Sequence, residues 1–273
     1  MCIRDSSVNT SKTLQGLSSG LTVIDRGGAP GSDDPQIFLR GIGTTGSSTP
    51  LILVDGVEMS LSQVPSQEIE SISVLKDAAS ASIYGSRAAH GVILVTTKRG
   101  KVGKMKLSYN GYIGFQDLAI RPKQVGAREY MNLVNEASKN AGKSPLYSED
   151  VIAATERGDD PFNYPYVNYV DEVYKKTYIT QHTVTVSGGN ENGRLFTSFD
   201  YLDQPGLIKN TEFKRYNFRM NADLKIGNML RLSSDISYRH SNRLWSSQLG
   251  DAQYHAFSMK PTTPVRYEDG RYT

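Results

Sequence analysis

Few residues in this chain are of a type and spacing suited to chemistry. Four histidines, His90, His182, His240 and His255, are scattered with no second histidine at helical spacing, and the single Cys2 offers no thiolate cluster, so no metal site is predicted. Asp55 in "LVDG" closes an apolar run just before a glycine, where an aspartate more often makes a turn hydrogen bond than acts as an acid. Ser86 in "YGSRAAHG" lacks the Gly-x-Ser-x-Gly setting of a nucleophile elbow. "GIGTTG" matches a nucleotide signature at Gly41, Gly43 and Gly46. A phosphate cradle needs a helix N-terminus behind it, however, and here Pro50 leads into another strand-like run. The sequence therefore nominates no catalytic residue and no cofactor.

Arg40 in "FLRG" and Arg87 in "GSRAA" differ from these. Each stands at the edge of an apolar element, and alone each reads as a solvated surface arginine. If the compact unit around them lies inside a polar barrel, both guanidiniums lose water and need carboxylate partners on the wall. The sequence thus offers Arg40 and Arg87 as plug-to-wall contacts.

What would position such residues is legible in the hydrophobic periodicity. Up to residue 100, short runs rich in Val, Ile and Leu ("IFLRGIG", "LILVDG", "SISVLK", "GVILVTT") alternate with Gly-rich turns and read as strands of one small mixed sheet. "DAASASIYGS" offers Asp77 as N-cap and Gly85 as a left-handed helix end, and "PSQEIES" one helical turn opened by Pro65 and Ser66. Residues 14–100 form an α+β unit on this reading, and "KRGKVGK" is the linker out of it.

Beyond residue 104 the period is two. "FKRYNFRMNADLKI" places Tyr216, Phe218, Met220, Ala222, Leu224 and Ile226 in one row and Arg215, Asn217, Arg219, Asn221, Asp223 and Lys225 in the other. "KLSYNGYIGF", "HTVTVS", "RLFTSFDYL" and "MLRLSSDISYRHS" repeat the scheme, giving five ribbons whose lengths suit tilted strands crossing a bilayer. Gly227-Asn228 and "GGNENG" make short turns at one end. "DQPGLIKNT" and residues 117–178 make long connections at the other, with a helix over "AREYMNLVNEASKNAG" ended by Gly142. A soluble sandwich would use the same alternation with its oily row inward. Long charged rows, tyrosines Tyr109, Tyr201, Tyr216 and Tyr238 near ribbon ends, and membrane-matched lengths favour lipid outside and water inside.

The totals exclude other classes. A net charge of +3 with both signs interspersed gives no ground for a nucleic-acid partner, and 16 Tyr with 8 Phe exclude a solvated disordered tail. One cysteine cannot form an internal disulfide.

The blocks "LRGIG", "LVDG", "IESISVLKDAASASIYGSRAAHGVILVTTKRG", "VTVSGGNENG" and "DQPGLIKNTEFKRYNFRMN" resemble the SusC/RagA family of TonB-linked outer-membrane transporters. The resemblance implies an α+β plug domain at 14–100 followed, over 101–273, by the first antiparallel strands of a large transmembrane β-barrel of about 22 strands. It also implies import of glycan oligosaccharides or peptides in the outer membrane of a Gram-negative bacterium. A SusD-like lipoprotein would close the outer mouth and the TonB-ExbB-ExbD complex would drive the plug, with no bond broken. "MCIRDS" has no counterpart in that pattern, so residues 1–13 are expected to be a partly non-native leader, and the chain is expected to be a fragment.

Overall fold

The computed structural model describes residues 9–16, 19–25, 27, 29–39, 41, 49–77, 81–227 and 229–272. They fall into two compact units, the first built from residues up to 114 with 178–206 and 212–244, the second from 115–177, 207–211 and 245–273.

In the first unit, β1 (Leu21–Ile24) and β2 (Gln36–Leu39) pair as a two-stranded antiparallel ribbon. β3 (Leu51–Val54), β4 (Val57–Glu58), β5 (Ile69–Leu75) and β6 (Val92–Thr97) form a second sheet in the order β4-β3-β6-β5. Its β3–β6 pair is parallel and the other two are antiparallel, so the sheet is mixed as expected. "IFLRGIG" does not belong to it. Its strand β2 lies over the sheet, with Ile37 and Leu39 packed against Val54, Ile93 and Val95, and pairs with "LTVI", a strand too short for its alternation to stand out. Asp55 (φ 49) and Gly56 (φ 88) both adopt positive φ between β3 and β4, the two-residue turn that matches strand twist. Ser66–Glu68 makes the predicted helical turn after Pro65. Gly85 has the expected positive φ, but helical turns resume past it to Ala88 instead of ending there. Ala81 and Ala88 cover the second face of the sheet against Leu51, Leu53 and Val92.

All five ribbons are strands: β7 (Gly103–Gln116), β8 (Thr177–Gly189), β9 (Gly193–Pro205), β10 (Glu212–Ile226) and β11 (Leu230–Leu244). They form one sheet in the order β11-β10-β9-β8-β7, with consecutive strands as neighbours. β8 to β11 pair antiparallel without register shifts. Gly227 takes φ 57 at the β10–β11 turn, as a tight hairpin requires.

The second unit consists of segments from the long-connection end. α1 (Ala127–Asn140) is the helix expected there, and Gly142 follows it with φ 71. Ala127 and Met131 pack on Ile152 of α2 (Glu149–Arg157), which Ser148 caps at its start and left-handed Gly158 at its end. α3 (Tyr169–Val173) and α4 (Leu249–Ser258) share a cluster of Val170, Tyr174 and Ala256.

Candidate functional site: the interface between the N-terminal domain and the long sheet

Burial along the central strands is inverted relative to a soluble protein. On β10, Arg215, Asn217, Arg219 and Asn221 are buried, whereas Tyr216, Phe218, Leu224 and Ile226 are exposed. On β9, Ser198 and Asp200 are buried, and Phe199 is exposed. A sandwich requires the opposite arrangement, so the polar row is the inner one.

What the polar row faces is the N-terminal domain. Arg219 donates from Nε to Glu68 at 2.7 Å and reaches Asp55 at 3.5 Å. Glu68 is 1% exposed, and its other oxygen accepts from the Ser198 hydroxyl at 2.6 Å. The Asn221 amide donates to Thr97 Oγ1 and to the Lys98 carbonyl, both at 2.8 Å. Arg215 donates to the Ser62 carbonyl at 3.0 Å and to Asp200 at 3.3 Å. Asp200 is held on its other side by Gln181 and Thr183 of β8. At the turn end, Arg99 in the linker pairs with both Asp223 and Asp235. Gly100 fits against β9 so tightly that a Cβ there would lie 2.4 Å from the Leu195 nitrogen.

A buried guanidinium–carboxylate pair costs desolvation and returns it only when its hydrogen bonds are complete. Here Arg219 completes such a pair with Glu68, whereas Arg215 Nε, Asn217 Oδ1 and Asn221 Oδ1 are buried without a hydrogen-bond partner among the described residues. The result is a docking seam of specific hydrogen bonds, joined on the inner face by the buried apolar side chains Phe196, Leu202 and Phe213.

The opposite face carries a different pattern. One residue per strand forms a continuous row across the sheet: Tyr109, His182, Tyr201, Tyr216 and His240. Tyr109 Oη lies 2.7 Å from His182 Nδ1. His182 pairs across to Tyr201, the Tyr201 and Tyr216 rings are 4.9 Å apart, and Tyr216 is 6.3 Å from His240. Charged Glu212 and Lys214 stand just past this row on β10, and apolar outward residues run from Tyr216 to Ile226. Ten residue steps make roughly 33 Å of strand. Tilted as barrel strands are, they span about 25 Å, the height of an outer-membrane apolar band with its aromatic girdle.

The profile of the TonB-dependent Receptor Plug Domain matches residues 3–92. A TonB-dependent receptor, P26, from Formosa agariphila is 33% identical over 269 residues, covering 96% of this chain and 26% of that receptor. SusC from Bacteroides thetaiotaomicron, also a TonB-dependent receptor, is 29% identical over 97% of this chain and 26% of its own length. The solved RagAB peptide transporter superposes with a TM-score of 0.80 at 25% identity, over 97% of this chain and 33% of that one. The chain belongs to the SusC/RagA-like TonB-dependent receptors. Its architecture is a receptor plug followed by antiparallel strands that begin a transmembrane barrel. It spans about a quarter of the length of the curated relatives it matches.

Within this receptor, one of the two arginines proposed from sequence, Arg87, lies among the described residues. Arg87 pairs with Glu58 of its own domain at 2.9 Å, with its side chain 71% exposed. Arg40 lies outside the described residues, as do Gly43 and Gly46 of the glycine motif. Asp55 does not spend its carboxylate on a local turn. It accepts from Thr97 N–H at 3.0 Å and Thr97 hydroxyl at 2.6 Å, then from Arg219. His182 and His240, unassigned by sequence, belong to the outward aromatic row; their parity with Tyr201 and Tyr216 was the available signal.

Proposed function

We propose that the receptor imports glycan oligosaccharides or peptides across the outer membrane of a Gram-negative bacterium, with the N-terminal domain as the gate of the lumen. The inverted burial of β9 and β10 carries this reading: a polar row docked on a plug and an oily row of membrane height are what a plugged barrel wall needs. On this reading the plug takes residues 14–100 and the wall 101–273, and the short turns face the periplasm. The TonB-ExbB-ExbD complex pulls on the plug, and a SusD-like surface lipoprotein retains cargo at the outer mouth. The reaction is translocation, with no substrate bond broken. On this reading Arg40, and Arg87 in exchange for its present partner Glu58, pair with carboxylates on the wall of the complete barrel.

The test uses the full-length receptor expressed in its host with and without TonB. Energy-dependent accumulation of a glycan or peptide that disappears without TonB is the expected result. A receptor that inserts correctly yet gives identical uptake in both strains contradicts the reading. Charge reversal at Arg87 should make the inserted receptor leaky to small solutes, and unchanged permeability removes that arginine from the gate.

A further inference from the structure

The turn end of the inner face holds a cleft of about 380 Å³ between the β8–β9 turn, the end of β10, the start of β11 and Arg99, a size within the range of small-molecule sites. Its charges do not fit the needs of the sheet. Lys225 and Arg231 stand directly opposite each other across β10 and β11. Like charges so placed repel, and a sheet built for stability alone sets a carboxylate at one of the two. Arg194 of β9 faces the same space, opposite Asp223.

Two of the three nearby carboxylates are already committed. Asp223 accepts from Arg99 and from the Ser233 hydroxyl at 2.7 Å, and Asp235 is bound by the same Arg99. Glu191, at the turn, is the other acid lining the cleft. Among the described residues, the side chains of Arg194, Lys225 and Arg231 form no hydrogen bond or ion pair. The cleft is also held in shape, because the Lys225 backbone N–H donates to the Asn192 carbonyl at 2.7 Å and ties the two hairpin ends together. By strand alternation, Lys104 and Lys106 at the start of β7 add to the same rim of the inner face.

We propose that this cleft is an oxyanion site at the exit end of the lumen, which takes a carboxylate, sulfate or phosphate group carried by the transported molecule. The proposal rests on the import reading and narrows its cargo to anionic oligosaccharides or acidic peptides. Orientation separates cargo from lipid as the source of the anion. Lys225 and Arg231 share the inner face with Asp223, whereas Ile226, Leu230 and Leu232 occupy the outward row that faces acyl chains, and Leu224 of that row borders the cleft. Three cations converging on one space bind an anion with several oxygens better than one alone, and the affinity weakens as salt screens them.

The experiment measures binding of inorganic sulfate to the detergent-purified full-length receptor by calorimetry, at low and high ionic strength, with oligogalacturonate and a neutral malto-oligosaccharide as competitors. Wild type should bind sulfate and lose it as salt rises. Oligogalacturonate should displace it, and the neutral sugar should not. Lys225→Gln/Arg231→Gln should weaken binding by about fivefold per cation, while heat-modifiable migration shows that the variant remains folded. Equal sulfate binding by wild type and variant overturns the site. Displacement by phosphatidylglycerol vesicles but not by oligogalacturonate overturns the cargo assignment. TonB-dependent import of some cargo without any sulfate binding leaves the import reading intact and removes this proposal alone.

Discussion

Arg219→Met separates a plug held by specific buried bonds from one that is merely enclosed. In the wild type, Arg219 Nε lies 2.7 Å from Glu68, which is 1% exposed, and 3.5 Å from Asp55. Removing the guanidinium leaves Asp55 its two bonds from Thr97, so its loss is small. Glu68 keeps only the Ser198 hydroxyl and becomes a buried charge without a cation. Breaking such a pair costs about 3–5 kcal/mol, and the surviving Ser198 bond puts the expected value near 3. At about 1.4 kcal/mol per decade, the undocked plug population rises by roughly two orders of magnitude. Conductance of the full-length receptor in planar bilayers, together with amide exchange over β5 and β6, reads that population. The double variant Glu68→Gln/Arg219→Met removes both charges while leaving an amide oxygen for Ser198, and should recover most of the loss. Wild-type conductance and exchange in the single variant, or equal leak in single and double, would refute the reasoning.

Four further outcomes follow from the same geometry. Gly100→Ala should destabilise the linker anchor by about 1–3 kcal/mol, because the new Cβ meets the backbone of Leu195 at 2.4–2.7 Å; the midpoint of heat-modified migration reports it. Asn221→Leu leaves the Lys98 carbonyl without its 2.8 Å donor and should cost about 1–3 kcal/mol, seen as faster exchange at the end of β6. Ala222→Arg, midway along the outward row, should lower the folded fraction in vesicles by about 2–4 kcal/mol. Asp25 is held below the usual carboxylate range, first by the Gly27 N–H and then by Lys12, against an opposing effect of burial. Its stabilisation is therefore present above the unfolded value and lost as pH falls through the lowered folded one, so Asp25→Asn should flatten the acid side of a thermal-stability profile slightly.

The five wall strands and their two faces were legible because alternation runs through most of each strand, although Phe196, Leu202 and Phe213 place apolar side chains in the inner row. The hairpin at Gly227 was legible for a local reason, its positive φ. The ribbon of β1 and β2 was not, since four residues carry too little period to distinguish a strand that lies over a sheet from one within it. The seam was only half visible. The inner row named Arg215, Arg219 and Asn221 as wall residues, but their partners Ser62, Glu68 and Thr97 come from a 3-10 turn, its neighbour and a strand end more than a hundred residues away. Contacts of that separation leave no local signal. Arg87 drew attention because it borders an apolar run, yet its described partner is Glu58, two residues past Gly56 on the same domain.

The inside-out orientation of β10 is tested most directly by spin labels placed singly at 216–226 in the full-length receptor reconstituted in bilayers, reading collision with oxygen and with a water-soluble nickel chelate. Labels at Phe218, Met220, Ala222 and Leu224 should be accessible to oxygen, alternating with protected positions at Asn217, Arg219 and Asn221. Alternation of the opposite phase, with the apolar positions shielded and the charged ones open to the nickel reagent, would contradict a lipid-facing wall around a docked plug.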